Sequence, residues 1–247
     1  MAGEQAAYRR VADQLRQRIL SGELPEGARL PSLRDIAAQY DVAVGIATRA
    51  LDVLRADGLV MSRPGAGTFV RRFERIVRSS PGRLARAHWG AGASIQDHDT
   101  GPRPRTVDVV VGDVPAPDYV ASALGVETGT PVLSRSRRFA VEERVVQLAV
   151  SYLPIELARG TRIEHTDTGP GGVYGRLAEQ GCAPDRFTER IIGRSPTPDE
   201  VVALDLAADG ARVLEVTRAA HSGERCVEIT RMVLDADAYE LEYSFPA

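Results

Sequence analysis

The chain has 247 residues, enough for two compact domains that each bury a core. Hydrophobic residues make up 43% of the sequence and charged residues 26%, which excludes a disordered chain. Residues 1–78 contain 13 arginines and 9 acidic residues, a net charge of +4, whereas residues 79–247 contain 18 arginines and 25 acidic residues, a net charge of −7. The N-terminal part is therefore the candidate for contact with a polyanion, although the whole chain carries a net charge of −3.

Metal, cofactor and membrane functions find no support in the sequence. Cys182 and Cys226 are too few and too far apart for a metal cluster, and the histidines show no ligand spacing. No signal peptide is recognisable, and no apolar run approaches the roughly 20 residues that cross a bilayer. We therefore expect a cytoplasmic protein without metal, cofactor or membrane association.

The first predicted helix runs from about Tyr8 to Ser21, where Val11, Leu15 and Ile19 fall on one face. Gly22 ends this apolar pattern, as glycine does at the end of many helices. The helix is expected to pack under the two helices that follow it.

A helix pair and a hairpin are predicted next. Ser32 reads as the N-cap of a short helix that stops near Tyr40, and a tight turn leads to a second helix over residues 45–57. Residues 59–61 and 68–70 are short β-type runs joined by a turn rich in proline and glycine. Two helices followed by a β-hairpin form a winged helix-turn-helix, which we assign to residues 6–72.

Two motifs in this region resemble the N-terminal DNA-binding domain of GntR-type transcription regulators. They are LPSLRDIA at residues 30–37 and GAGTFV at residues 65–70. In the usual docking of this motif, the second helix of the pair enters the major groove, with Thr48 and Arg49 as the main candidates for base contact. Arg34 suits a guanine edge or a phosphate, and Ser32 with its helix N-terminus suits a phosphate.

The hairpin is the predicted wing. Gly65 and Gly67 carry no side chain, so the turn can approach the minor groove closely, flanked by Arg63 and Thr68. Residues 43–46 depart from the family pattern, because no Ser or Thr caps the recognition helix and apolar contacts with thymine methyls become an option. As an alternative, any single arginine of this set is a solvated surface charge.

Residues 73–105 are predicted to be a linker. They lack a sustained hydrophobic period and contain many glycines and prolines, with room for a short helix or strand. A linker of this length allows the relation between the two domains to change.

Residues 106–247 contain a weak internal repeat with an offset of 81 residues, which aligns Gly129–Arg137 with Gly210–Arg218 and Gln147 with Glu228. Each copy has a helix-like segment followed by two β-rich runs. Such a duplicated unit folds most simply as an antiparallel sheet with helices packed on it.

This second part resembles the UTRA effector-binding domain of the HutC subfamily of GntR regulators. The likeness rests on SYLP at residues 151–154, on GxxYxxL within residues 171–177, and on residues 237–243. The resemblance implies a small-molecule effector, anionic or rich in hydroxyl groups, and a set of binding residues. These residues are Arg135, Arg137, Gln147, Gly172, Tyr174, Arg218 and Glu228.

The chemistry of these candidates leaves alternatives open. Arg135 and Arg137 lie two residues apart and so share one face of a strand, while Glu228 would accept hydrogen bonds from the effector. The neutral amide of Gln147, where relatives that bind amino-sugar phosphates have Glu, argues against an amine-bearing effector. The same residues could instead form cross-strand polar pairs on an open sheet face, and the glycines before Tyr174 could form a plain turn.

The sequence therefore predicts an α+β chain, in which a winged helix-turn-helix is joined by a linker to an antiparallel-sheet α/β domain of UTRA-like (chorismate-lyase-like) fold. The predicted function is a ligand-responsive transcriptional regulator, a homodimeric repressor released from a palindromic double-stranded DNA operator by a small effector. One alternative is an architectural or plasmid-maintenance DNA binder whose second domain only dimerises. A second is an enzyme, but residues 106–247 are too few for an aminotransferase-like domain, and a chain without lysine offers no cofactor lysine or phosphate-loop motif.

Overall fold

The computed structural model describes residues 2–63, 65–71, 75–206 and 211–245. The chain divides into two compact units, the first formed by residues 1–73 and 206–211 and the second by residues 74–205 and 212–247. The predicted domain boundary at residues 72 and 73 lies outside the described residues. No helix in the described ranges combines the length and the apolar character needed to cross a membrane.

The first unit is a winged helix-turn-helix, as predicted. Its elements are α1 (Ala2–Leu20), α2 (Leu33–Gln39), α3 (Val44–Ala56), β1 (Val60–Arg63) and β2 (Gly67–Val70), and the two strands pair antiparallel. The helices enclose one hydrophobic core that includes Val11, Leu15, Ile36 and Leu54, each 0% exposed. The apolar stripes read from the sequence therefore face this core.

The two shorter helices begin in different ways. Ser32 caps α2 through a capping box with Asp35, whereas Ala43 at the start of α3 makes no capping hydrogen bond through its side chain. At the far end of α3, Gly58 adopts a φ of +70°, which glycine tolerates and which turns the chain into β1.

The second unit is built on strands and short helices. Its strands are β3 (Ile76–Ser79), β4 (Arg105–Pro115), β5 (Pro131–Val141), β6 (Arg144–Pro154), β7 (Arg186–Arg194), β8 (Val213–Ser222), β9 (Arg225–Asp235) and β10 (Tyr239–Glu242). Its helices are α4 (Ser80–Leu84), α5 (Arg86–Trp89), α6 (Asp118–Leu124), α7 (Ile155–Ala158), α8 (Gly172–Glu179) and α9 (Pro198–Ala203), with 3₁₀ turns at Ile95–His98 and Arg162–Glu164.

A six-stranded antiparallel sheet with the order β4-β5-β6-β9-β8-β7 forms the centre of this unit. The predicted repeat is visible as β4-α6-β5-β6 followed by β7-α9-β8-β9, and β4 and β7 begin 81 residues apart, at 105 and 186. The repeat therefore includes one more strand per copy than the sequence pattern indicated. The two copies meet where β6 pairs with β9 in the middle of the sheet.

The structure differs from the predicted linker over residues 75–105. Within this stretch β3 pairs in parallel with β10, Arg78 is 0% exposed, and Trp89 is 1% exposed in the hydrophobic cluster of the second unit. The elements are four or five residues long, and α4 itself contains Pro81 and Gly82, so no hydrophobic period extends far enough to be recognised. Single large side chains nevertheless anchor each of them.

An ion-pair network joins α9 to the sheet. Arg194 donates to both carboxylate oxygens of Glu200 at 2.7 Å and to Glu215 at 2.7 Å, and Arg231 also donates to Glu215 at 2.7 Å. Hydrogen bonds from Arg194 lower the pKa of Glu200 below its usual value of 4.5. Because the folded pKa is depressed, this pair stabilises the fold above about pH 4.5, and the contribution is lost as the pH falls through the folded pKa.

We expect Glu200→Gln to lower the free energy of unfolding at pH 7 by about 1.5–3 kcal/mol, the range for hydrogen bonds to charged groups. The difference from wild type should stay constant down to about pH 4.5 and narrow as the pH falls further. Urea unfolding followed by circular dichroism measures both effects. Glu224→Gln, at an exposed glutamate in the β8–β9 turn, is the control, and an equal loss in both variants would remove the role given to the network.

Candidate functional site

The predicted base-reading residues are exposed in the first unit. Arg49 and Thr48 lie on the solvent side of α3, and Arg34 lies in the first turn of α2. The Thr48 hydroxyl donates to the Val44 carbonyl at 3.0 Å and keeps its acceptor capacity. Within the described part of the chain, neither Arg34 nor Arg49 has a hydrogen-bond or ion-pair partner. Their guanidinium groups are therefore available to an external acceptor.

Ser32 is engaged inside the chain. Its hydroxyl donates to the Asp35 carboxylate at 2.7 Å, and its backbone N–H donates to the same oxygen at 3.1 Å. The side-chain bond from Ser32, followed by the backbone bond, lowers the pKa of Asp35, so this carboxylate stays charged at the start of α2. A phosphate approaching Ser32 would compete with Asp35 for the same donors.

An open groove of about 560 Å³ separates α3 from the wing and brings Thr48 together with Gly65, Gly67 and Thr68. Gly65 and Gly67 have φ angles of +73° and +110°, a backbone region that favours glycine. The side chain of Arg63 and all of Pro64 lie outside the described residues.

Two arginines that were not predicted from the sequence also line this groove. Arg29 forms an antiparallel bridge with Phe69, and its Nε would lie 2.9 Å from a Cβ placed on Gly67. Arg55 of α3 donates to the Ser62 hydroxyl in β1 at 2.9 Å, which fixes helix and wing together. Arg29 lies in a turn-rich connector without periodicity, so only the strand pairing reveals its position.

A cavity of about 430 Å³ lies in the second unit, between the central sheet and the start of α8. Six of the seven predicted effector residues line it, namely Arg135, Arg137, Gly172, Tyr174, Arg218 and Glu228. Its apolar lining includes Val107 and Val109 of β4 and Phe139 of β5, which the sequence reading did not select. The repeat accounts for the convergence of Arg137 and Arg218, because they occupy equivalent positions in the two copies.

Gln147 is the residue that the structure does not bring to the cavity. It is 8% exposed, and its side-chain oxygen accepts a hydrogen bond from the Tyr239 hydroxyl at 3.0 Å. Tyr239 belongs to β10, which pairs with β3. Gln147 is thus covered by β10, a strand that has no counterpart in the sequence repeat. Gln147 and Glu228 occupy equivalent positions in the two copies, but different residues surround them.

Residues that line the cavity carry buried polar atoms without a hydrogen-bond partner in the described ranges. They are Nε of Arg135 and of Arg137, Nε and Nη1 of Arg218, and Oε2 of Glu228, whereas the Tyr174 hydroxyl lies within hydrogen-bond reach of the Glu228 carboxylate. Buried polar groups in folded proteins are nearly always paired, because an unpaired group pays its full desolvation cost. Donors and an acceptor left open around one cavity are therefore typical of a site that completes its hydrogen bonds with a ligand.

The charges in the cavity favour an anion. Burial lowers the pKa of Arg137 and lowers that of Arg135 to about 10. Arginine side chains are not deprotonated in proteins, so both guanidinium groups bring positive charge to the cavity. Burial also raises the pKa of Tyr174, whose hydroxyl stays neutral. The Arg218 guanidinium carbon lies 5.6 Å from the centre of the Tyr174 ring, within the range of a cation–π contact. Glu228 provides the single buried carboxylate among these lining residues.

Arg135 shapes the wall of the cavity. Its Nη atoms donate to the carbonyl oxygens of Ile163, His165 and Thr166. These bonds hold the loop that carries Thr166, Asp167 and Thr168 into the cavity lining. The Arg135 guanidinium is therefore engaged by this loop, and it adds a positive charge beside the cavity.

Comparisons with known proteins place these two sites in a family context. Residues 7–70 match the model of the bacterial regulatory proteins of the gntR family, and residues 99–240 match the UTRA domain. An uncharacterized HTH-type transcriptional regulator of Streptomyces coelicolor is 32% identical over 227 residues, which cover 88% of this chain and 84% of that protein. The chain belongs to the GntR family.

Further similarities support the same assignment. An uncharacterized HTH-type transcriptional regulator of Rhizobium meliloti is 30% identical over 241 residues, covering 96% of this chain and 93% of that protein. The crystal structure of PhnF from Mycobacterium smegmatis has a TM-score of 0.59 and 25% identity, covering 96% of this chain and 99% of that chain. These findings confirm that this GntR-family protein is a transcriptional regulator with a UTRA domain and not an enzyme.

We expect Gly67→Ala to destabilise the first unit by about 1–3 kcal/mol, because its φ of +110° strains an alanine and the added Cβ meets Arg29. Gly45→Ala is the matched control, since Gly45 lies in α3 with open space around it and without a positive φ. Alanine should stabilise the helix there by about 0.5–1 kcal/mol. Urea unfolding of the full chain measures both effects. A Gly67→Ala protein as stable as wild type would contradict the strain expected from the positive φ and from the approach of Arg29.

Proposed function

We propose that this GntR-family regulator is a repressor that binds a two-fold operator as a homodimer and is released when a small anionic effector occupies the second unit. The observation that carries the proposal is the set of buried, unpartnered polar atoms of Arg135, Arg137, Arg218 and Glu228 around one cavity. A domain that served only to dimerise would have no reason to leave these groups unpaired. Such a regulator acts in the cytoplasm, where bacterial DNA lies.

On DNA, α3 enters the major groove and presents Thr48 and Arg49 to base edges, while Arg34 contacts a guanine or a phosphate. The wing lies along the adjacent minor groove through Gly65, Gly67 and Thr68, with Arg63 beside them. The exposure of Arg34 and Arg49 and their lack of partners in the described ranges support this assignment. Ser32 contributes a phosphate contact only where the phosphate replaces the Asp35 carboxylate as the acceptor of its hydrogen bonds.

The effector places its anionic group against Arg137 and Arg218 and offers a hydrogen-bond donor to Glu228, beside Gly172 and Tyr174. Its apolar part contacts Val107, Val109 and Phe139, which form the less polar side of the cavity. An effector that binds the DNA-incompetent arrangement more tightly than the DNA-bound one shifts the population away from the operator. Operator affinity rests largely on phosphate contacts and decreases as the salt concentration rises.

We expect Arg34→Ala and Arg49→Ala each to weaken operator binding by about tenfold, within the range of 1–3 kcal/mol for an arginine contact to a base. Effector binding should be unchanged in both variants. Arg137→Ala should retain operator affinity and lose stabilisation by anionic ligands. Fluorescence anisotropy with the protein's own upstream DNA, together with thermal shift against sugar phosphates and organic acids, measures the two activities.

Arg225→Ala, at an exposed arginine of β9 away from both sites, is the control and should resemble wild type in both assays. Equal loss of both activities in all three site variants would contradict this division of roles. Operator binding combined with no response to any ligand would favour the architectural DNA binder instead.

A further inference from the structure

A continuous row of polar side chains crosses the inner face of the central sheet. Arg137 donates to the Ser151 hydroxyl, and Ser151 and Thr230 share a hydrogen bond of 2.7 Å. Thr230 lies directly opposite Arg218 in the β8–β9 pairing, and Arg218 lies directly opposite Glu189 in the β7–β8 pairing. Residues directly opposite in an antiparallel pair point to the same face. This row, from Arg137 to Glu189, is called the inner polar row below.

The inner polar row begins at the ligand cavity and ends at β3 and β10. At its far end the Glu189 carboxylate accepts a hydrogen bond from Arg78 of β3 and another, at 3.1 Å, from the Tyr243 hydroxyl, one residue after β10. The side chains of Arg78 and Glu189 are 0% and 6% exposed. Glu189 thus faces a cavity arginine on one side and the β3–β10 pair on the other.

Three buried arginines meet at this end. Arg78 pairs with Glu189 and Arg83 lies 3.4 Å from Asp99, while Arg218 interacts with Glu228 of the cavity and with Glu189. Burial, followed by the charge of Arg78, lowers the pKa of Arg83 to about 9. Although burial acts in the opposite direction, Arg78 and Arg218 together lower the pKa of Glu189. The Glu189 charge is therefore shared between an arginine of the cavity and an arginine of β3.

We propose that Glu189 is a positioning residue. Through Glu189, an anion in the cavity strengthens the contacts that hold β3 and β10 against the rest of the second unit. The proposal rests on the anionic effector proposed above. An anion on Arg218 satisfies the charge of that guanidinium, so the Glu189 carboxylate is left to Arg78 and Tyr243. In a buried environment, where charges are poorly screened, this redistribution strengthens the Arg78 contact.

The position of β3 in the chain gives this tightening a consequence for DNA binding. Only residues 71–75 lie between Val70, the end of β2 in the wing, and Ile76, the start of β3. A firmer hold on β3 restricts the segment from which the DNA-binding unit extends. The effector thereby selects among the arrangements of the two units and disfavours the one that fits the operator.

Hydrogen exchange measured by mass spectrometry on the full chain tests the coupling, with sulfate as the anion probe and chloride at equal ionic strength as the reference. In the wild type, sulfate should slow amide exchange in the segments that contain β3 and β10 by about threefold or more. Glu189→Gln removes the carboxylate while keeping its shape. This variant should bind sulfate at least threefold more tightly, because the cavity becomes more positive, yet exchange in β3 and β10 should be faster than in wild type and insensitive to sulfate.

Glu215→Gln is the matched control, because Glu215 also lies in the β7–β8 pair but bonds Arg194 and Arg231 in the α9 network. It should keep both the sulfate affinity and the exchange response of the wild type. Sulfate binding to the wild type without slower exchange in β3 and β10 would overturn the coupling and leave the anion site standing. Failure of sulfate to bind the wild type would overturn the anionic effector and the coupling together.

Discussion

Burial of arginine charge on one face of the central sheet is the constraint on which the second unit depends. Arg78, Arg135 and Arg218 are between 0% and 4% exposed, and carboxylates that include Glu189 and Glu228 oppose their charge. A buried charge is tolerated only where partners surround it, because desolvation is costly. The sheet supplies these partners as strand-paired serine, threonine and glutamate residues and as loop carbonyls. At the cavity this supply ends, and buried polar atoms of Arg137, Arg218 and Glu228 have no hydrogen-bond partner among the described residues.

The same constraint explains why short elements after the wing fold against the sheet. Arg78 and Arg83 need carboxylates, and Glu189 and Asp99 provide them. Trp89 adds apolar contact, with its ring centre 5.7 Å from that of Tyr174, and its indole N–H donates to the Leu84 carbonyl at 3.0 Å. Polar and apolar anchors together hold a segment whose composition resembles a linker. Composition alone shows the glycines and prolines in such a segment, but it does not show which side chains between them are buried.

Much of the architecture was predictable because it follows from local patterns. The Ser32 cap of α2 and the apolar stripes of α2 and α3 indicated the winged helix-turn-helix, and the offset of 81 residues indicated the paired hairpins of the sheet. The convergence of Arg137 and Arg218 was predictable for the same reason. The burial of Gln147 under Tyr239 was not, because it arises from strand β10, which lies 92 residues further along the chain. The position of Arg29 in the groove was not predictable for a related reason, since it depends on pairing with Phe69 across the unit.

The two repeat copies differ in what the side chains at positions 147 and 228 contact. Position 147 is committed to a hydrogen bond with Tyr239, so a change there disturbs packing, whereas the equivalent Glu228 faces the cavity with one oxygen unpaired. The side of the sheet that faces the cavity can therefore change at position 228 without breaking the hydrogen bond between Gln147 and Tyr239, because the two copies use this position differently.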